Sequence, residues 1–414
     1  MFIFKKAVCL LLTIVLVLLP FTVSADEVPI DELIDDRVVT EYNSPDLTDP
    51  IVGAVETAGP IGTKLEINAK SCVLMDVDTG TVLYENESHL ALPPASITKV
   101  MALLLVVEAI ESGQLTLDTS LSASAHACSM GGSQVWLEPN ELMTVDDLLK
   151  AAVIGSANDA TVVLGEAVAG SEEGFVAMMN QRAEQLGMKD TVFKNCTGLD
   201  AEGHLTSAYD IAVMSKELIK HDIIKKYSTV WMDSLRNGES QLVNTNKLVR
   251  FYEGCTGLKT GTTSGAGCCL SATAEREGLR LVAVVMGASN SNDRFNGARK
   301  LLDYGFANWS YITVTTDPEK LHPVSVKDGV VDKVNTVCNE RKSFLVEKQK
   351  VKTLLLETEL FETLKAPVAA GQQIGVTRVY VDGKEIGTVK VVAETGVAKM
   401  TFMKYVKLLL NNLV

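Results

Sequence analysis

The sequence has no surplus of basic charge: 38 Lys and Arg stand against 52 Asp and Glu, for a formal net charge of −14. An extended nucleic-acid surface is thereby excluded, because such surfaces need clustered cations to displace counterions. An anionic substrate would have to be met by a local basic site. Metal-ligand spacing is missing as well. No Cys-x-x-Cys occurs, and His89, His126, His204, His221 and His322 are scattered, so neither a metal nor a cofactor is expected. Beyond Cys9 the cysteines are Cys72, Cys128, Cys196, Cys255, Cys268, Cys269 and Cys338. An odd set leaves at least one free thiol, and most of them read as small buried apolar residues. The N-terminal apolar run, Ala7 to Phe21, falls short of the ~20 residues that a membrane span prefers. It follows Lys5 and Lys6 and precedes Val23-Ser24-Ala25, which together read as a secretory signal peptide over residues 1–25 and imply export.

With 414 residues, 47% hydrophobic and 22% charged, the chain has the composition of a globular protein and the length of two folded units. Residues 26–64 are acidic and proline-punctuated and read as a linker or pro-region. Residues 65–310 form the first folded unit. It opens with a hairpin around Asp78-Thr79-Gly80, continues through a series of amphipathic helices, and ends in antiparallel strands joined at Arg276-Glu277-Gly278 and a final helix. In that series Thr144 caps a helix with Asp147 at the third position beyond it, and Gly155-Ser156-Ala157-Asn158 interrupts two helices. This is the α+β pattern of an antiparallel sheet packed with helices. Residues 311–396 replace helical periodicity with short alternating runs and a hairpin at Asp382-Gly383, a small all-β domain. In residues 397–414 the polar Thr401, Lys404, Lys407, Asn411 and Asn412 share one helical stripe while apolar residues fill the rest. At ~24 Å, with three lysines and no acid, the tail suits an in-plane anchor on an anionic membrane surface.

The chemistry centres on "PPASITKV". A helix starting near Ala95, with Ser96 as its cap, puts Ser96 and Lys99 one turn apart on one face. The positive helix N-terminus favours oxyanion charge beside Ser96. For Lys99 to act as a base its pKa must fall from ~10.4 to about 7 or 8, a cost of ~4 kcal/mol. The apolar helix behind it and a second cation are the means. By itself the pair also fits a capping serine beside a solvated lysine. Two further patterns shift the balance, Ser156-Ala157-Asn158 in the helix break and Lys259-Thr260-Gly261 on a strand; each of the three occurs once in the chain, in that order. Such a set marks class A β-lactamases and penicillin-binding proteins, with Asp usual at the position of Ala157.

Through these motifs, and through "NCTGLDAEGHLTSAYDIAVMSKELI" and "RFNGARKLLDYGF", the segment from about Leu65 to Trp309 resembles the serine D-alanyl-D-alanine carboxypeptidases, the low-molecular-weight penicillin-binding proteins. The resemblance implies a β-lactamase/transpeptidase-like domain, a β-sandwich and a C-terminal amphipathic anchor at the outer face of the cytoplasmic membrane. The implied substrate is a peptidoglycan stem peptide ending in D-Ala-D-Ala, and β-lactams are the implied inhibitors. Ser96 then corresponds to the acylated nucleophile, Lys99 to its base and Ser156 to the proton relay toward the leaving D-alanine. Asn158 corresponds to the amide binding the substrate's peptide group, Lys259 to the cation biasing Lys99, and Thr260 and Arg294 to the groups meeting the terminal carboxylate. Gly261 leaves room for a peptide against the strand, and the N–H groups of Ser96 and Thr262 form the oxyanion hole. A class A-like β-lactamase is the alternative within this fold. It needs a glutamate and asparagine beyond the Ser-x-Asn element, whereas "LEPNEL" (Leu137 to Leu142) precedes Ser156. A non-catalytic penicillin-binding scaffold is the other alternative, and the intact motifs give it no support.

Overall fold

The computed structural model describes residues 59–411, with side chains through Val406; the expected signal peptide and most of the acidic segment lie outside the described residues. Five strands form the sheet of the first unit: β1 (Ser71–Asp76), β2 (Val82–Asn86), β3 (Cys255–Thr263), β4 (Gly267–Arg276) and β5 (Leu279–Ala288). Their order is β2-β1-β5-β4-β3, with every neighbouring pair antiparallel. Both expected hairpins form. At the first, the Asp76 carboxylate accepts from the Thr79 N–H at 2.7 Å and from its hydroxyl at 2.6 Å; at the second, Glu277 and Gly278 supply the positive φ of a tight turn. The Lys259-Thr260-Gly261 strand, β3, is thereby left at the edge of the sheet.

Side-chain alternation in the central strands divides the interior in two. On one face Val73 and Met75 of β1 and Val282, Val284 and Met286 of β5 pack under α1 (Lys99–Glu111), α2 (Val145–Val153), α3 (Asn158–Ala169), α4 (Glu172–Gln185) and α5 (Ala208–Leu218). On the other, Leu74, Leu281, Ala283 and Val285 meet Phe295, Ala298, Leu301 and Leu302 of α6 (Ser291–Asn308). Helix α1, "KVMALLLVVEAIE", is apolar almost all round and is accordingly buried on nearly every side.

Thr144, Ser171, Ser207 and Asn290 cap α2, α4, α5 and α6, each accepting from the N–H three residues on. The expected cap at Ser96 is not made. Ser96 lies inside a 3₁₀ turn, Ala95–Thr98, that precedes α1, and Thr98 occupies the capping position without a side-chain bond. The Ser96 hydroxyl faces Lys99 instead. Residues 59–64, assigned to the linker by composition, already belong to the packed unit: the Asn308 amide donates to the Gly59 carbonyl at 3.0 Å, and the Gly62 N–H to the Tyr304 hydroxyl at 3.3 Å.

The second unit is built of β6 (Trp309–Val314), β7 (Val324–Lys327), β8 (Lys342–Glu347), β9 (Leu355–Leu360), β10 (Thr363–Lys365), β11 (Gln373–Val381) and β12 (Lys384–Ala393). Strands β11 and β12 close the hairpin at Asp382-Gly383, whereas β7 and β10 pair in parallel. No spacer separates the units: Trp309 packs edge-on against Tyr304, with centroids 5.3 Å apart, and the Tyr311 hydroxyl donates to Asp76 at 2.8 Å. Helix α7 (Phe402–Asn411) follows with Phe402, Met403 and Tyr405 exposed, and among the described residues no helix is long and apolar enough to cross a membrane. The seven described cysteines are all free thiols, and Cys72, Cys196 and Cys269 are buried.

Candidate active site

Three segments distant in sequence converge on one cleft: the 3₁₀ turn with the start of α1, the α2–α3 break, and edge strand β3. Ser96 is half-buried at the head of the turn, while Lys99 behind it has no exposed surface. The Lys99 Nζ lies 3.1 Å from the Ser96 Oγ, 2.5 Å from the Asn158 Oδ1 and 2.9 Å from the Thr197 carbonyl oxygen. An amide oxygen and a peptide carbonyl can only accept, whereas a hydroxyl can also donate. Two fixed acceptors thus hold Lys99 with its nitrogen aimed at the Ser96 oxygen, to which it donates and from which, once neutral, it can take the hydroxyl proton.

The α2–α3 break delivers its two polar side chains in opposite roles. Asn158, at the start of α3, accepts from Lys99 and donates through Nδ2 to the Gly131 carbonyl at 2.6 Å, which fixes its amide orientation. Ser156 is 2% exposed, and its Oγ accepts from the Lys259 Nζ at 2.7 Å. Ala95 and Ser156 both have left-handed backbone, with φ of 48° and 61°. L-residues seldom adopt that conformation, and here it flanks the two reactive hydroxyls. Asp159, next to Asn158, is wholly buried and accepts from the N–H groups of Val135, Leu137 and Ala160, tying the loop beside the cleft to α3. Burial raises its carboxyl above the ordinary range against the pull of those donors.

On β3, Lys259 is 1% exposed and Thr260 equally buried. The Thr260 hydroxyl pairs with that of Thr245 at 2.6 Å. Thr260 donates in this pair, so Thr245 holds the Thr260 hydroxyl in place on the strand. Gly261 is required by a different neighbour from the one expected. A Cβ there would lie 2.9 Å from the Ser96 nitrogen and 3.0 Å from the Ala95 Cβ, so the missing side chain admits the nucleophile's own turn. The same proximity brings the Ser96 nitrogen beside Gly261. Arg294, on α6, is 8% exposed and donates to the Thr262 hydroxyl at 2.9 Å and the Gly261 carbonyl at 3.3 Å. Lys99, Lys259 and Arg294 thus put three buried basic side chains at one cleft of an acidic protein.

Sequence reading missed several contributors. Asn195 accepts from the N–H groups of Thr197 and Gly198, at 3.2 and 2.7 Å, and so shapes the loop that turns the Thr197 carbonyl onto Lys99. Gly198, with φ of 91°, sits where a Cβ would be 1.9 Å from the Ala95 carbonyl oxygen. An asparagine ahead of Thr-Gly is a turn signal, but nothing in the sequence says what its carbonyl meets. Thr245 carried no signal. Beside the cleft an open cavity of about 490 Å³ is lined by Pro93, Asp200, Glu202, His204, Ser264 and Gly265. Among the described residues no group of three or more His, Cys, Asp and Glu is gathered to hold a metal ion.

Comparison with known proteins agrees with this geometry. Residues 56–290 match the family model of the D-alanyl-D-alanine carboxypeptidases, and residues 309–399 match that of the penicillin-binding protein 5 C-terminal domain. The chain is 40% identical over 349 residues to D-alanyl-D-alanine carboxypeptidase DacF of Bacillus subtilis, covering 83% of this chain and 90% of that one. It is 33% identical to D-alanyl-D-alanine carboxypeptidase DacC of Escherichia coli, covering 77% and 82%. Among solved structures, penicillin-binding protein 5 from Haemophilus influenzae superposes with a TM-score of 0.69 at 29% identity, covering 81% of this chain and 99% of that one. Penicillin-binding protein D2 from Listeria monocytogenes in its ampicillin-bound form gives 0.52 at 31%, covering 59% and 100%. With a buried lysine between serine and asparagine, a second lysine on a serine of the helix break, and both halves matched, the chain belongs to the D-alanyl-D-alanine carboxypeptidase family.

Proposed function

We propose that the protein removes the terminal D-alanine from peptidoglycan stem peptides through an ester on Ser96. The Ser96 Oγ attacks the carbonyl carbon of the penultimate D-alanine while its proton passes to the neutral Lys99 amine. The N–H groups of Ser96 and Thr262 hold the oxyanion. Collapse expels the terminal D-alanine, whose nitrogen takes a proton from Ser156 while Ser156 regains one from the Lys99 ammonium, so that Lys99 is neutral again; Lys259 hydrogen-bonds the Ser156 oxygen. Water then attacks the ester with Lys99 as base and releases the shortened peptide. Thr260 and Arg294 receive the substrate's terminal carboxylate, Asn158 its peptide group, and the edge of β3 its extended backbone.

The observation that carries this reading is the set of three partners around Lys99, two that only accept and one reactive hydroxyl. The test is D-alanine release from a D-Ala-D-Ala pentapeptide, with labelled penicillin as a probe of acylation. Wild type should release D-alanine and take one label per chain, and Ser96→Ala should do neither; activity surviving in Ser96→Ala refutes the assignment. The β-lactamase alternative gains no support from "LEPNEL": Glu138 is solvent-exposed, and the Glu141 carboxylate is engaged by the Arg236 guanidinium at 2.8 Å. Rapid penicillin turnover in place of a lasting adduct would restore that alternative.

Export through the N-terminal signal, and anchoring by α7 lying in the membrane surface, belong to the same proposal. Exposed Phe402, Met403 and Tyr405 beside Lys404 support it. Deleting Lys399 to Val414 should release the mature protein from membranes, and retention after that deletion refutes the anchor.

A further inference from the structure

Lys99 is held between two separate pieces of backbone, the turn Ala95–Thr98 and the loop carrying the Thr197 carbonyl. One side chain outside the motifs touches both pieces. His204 is 3% exposed; its Nδ1 accepts from the Lys194 N–H at 3.3 Å, and its Nε2 lies 2.9 Å from the Thr98 hydroxyl. Because Nδ1 is accepting, the ring proton sits on Nε2 and is donated to Thr98. Thr98 is itself fully buried and adjoins Lys99, while Lys194 opens the segment in which Asn195 shapes the loop to Thr197. Phe193 packs edge-on against the ring, with centroids 5.9 Å apart, and limits its rotation.

We infer that His204 is a positioning residue for Lys99, bracing through its two ring nitrogens the turn that presents Ser96 and the loop that supplies the Thr197 carbonyl. This rests on the reading of Ser96 as the acylated nucleophile. Only the neutral ring can serve, since a proton on Nδ1 would face the Lys194 N–H donor to donor and displace that loop. Burial holds the imidazole down to about 4, with Asp200 opposing and Lys194 adding to the effect. Glu202 lines the same cavity, and Lys99 adjoins Thr98 on the other side.

The two nitrogens can be separated by substitution. A glutamine places its amide nitrogen near the position of Nε2, whereas an asparagine reaches only to the position of Nδ1. Acylation of the full-length protein by labelled penicillin, measured as a rate constant apart from the binding constant, should fall about tenfold in His204→Asn and in Thr98→Val. His204→Gln should stay within about threefold, and the double variant His204→Asn/Thr98→Val should be no slower than the slower single. Circular dichroism checks folding, and Thr98→Val, nearly isosteric, carries the test if His204→Asn unfolds. The ratio of His204→Gln to wild-type rates should also rise about twofold between pH 6 and pH 4, as half of the wild-type rings protonate near pH 4. Wild-type rates in Thr98→Val, a His204→Gln as slow as His204→Asn, or a flat ratio with pH overturns the inference. Wild-type protein that takes no label overturns it together with the nucleophile reading, so the two failures are told apart.

Discussion

Gly261→Ala tests whether edge strand β3 and the nucleophile's turn are packed as closely as the structure has them. The added Cβ would sit 2.9 Å from the Ser96 nitrogen, 3.1 Å from the Ile97 nitrogen and 3.0 Å from the Ala95 Cβ. Ordinary contact begins near 3.4 Å, and two of these neighbours are backbone atoms that cannot rotate away, so turn and strand must part by roughly half an ångström. Neither gives easily. Eight register positions hold β3 to β4, and Gly198 presses on the Ala95 carbonyl from the other side. Overpacking of this kind costs about 1–3 kcal/mol in stability. The larger effect falls on chemistry: a misplacement of 1 Å can cost ~10²-fold, so half of that should slow acylation about tenfold. Labelled-penicillin acylation and thermal unfolding are measured together. Leu302→Ala, fully buried on the opposite face of the sheet, is the comparison; it should lose about 2–5 kcal/mol and acylate at the wild-type rate. Folded Gly261→Ala that acylates within twofold of wild type would refute the packing argument.

Asn158→Ala removes an acceptor from Lys99 and a donor from the Gly131 carbonyl; D-alanine release should fall at least tenfold, the cost of leaving buried polar groups without a partner. Thr245→Val deprives the Thr260 hydroxyl of its acceptor; steady-state kinetics should show KM for the pentapeptide rising by more than kcat falls, and an unchanged KM would count against the proposed role of Thr260 in receiving the carboxylate. Partial burial pulls the Glu141 carboxyl upward, but the Arg236 guanidinium and the Glu138 N–H outweigh it and hold the group below the ordinary range. Its folded pKa being depressed, this pair stabilises above the unfolded carboxylate pKa and is lost as pH falls through the folded one. The Tm gap between wild type and Arg236→Met should therefore narrow from pH 6 to pH 3, and a constant gap would contradict it. Burial pushes the Cys72 thiol up to about 12 and that of Cys269 to about 11, whereas hydrogen bonds centred on Thr316 outweigh burial at half-exposed Cys338 and lower it. Alkylation of native protein at pH 8, mapped by mass spectrometry, should mark Cys338 well before Cys72 or Cys269.

The sequence alone determined the elements and the chemistry they carry. Hairpins at Asp78-Thr79-Gly80 and Arg276-Glu277-Gly278, the helix break at Ser156–Asn158 and the apolar α1 were legible because turn residues and apolar period are local properties of the chain. The motif residues were legible because hydroxyl, ammonium and amide groups at fixed spacing name a reaction before any fold is known. The tertiary structure decided which of those groups meet. Ser96 reads as a helix cap one turn from Lys99, yet it sits in a 3₁₀ turn with its hydroxyl on that lysine. Gly261 reads as room for substrate and proves to be room for Ser96 itself. Thr197, Thr245 and His204 were invisible because their roles lie in a carbonyl's direction or in a partner 15 to 106 positions away in sequence. Such contacts are set by how sheet and helices pack. Local sequence fixes what a side chain can do, and long-range packing fixes what it does it to.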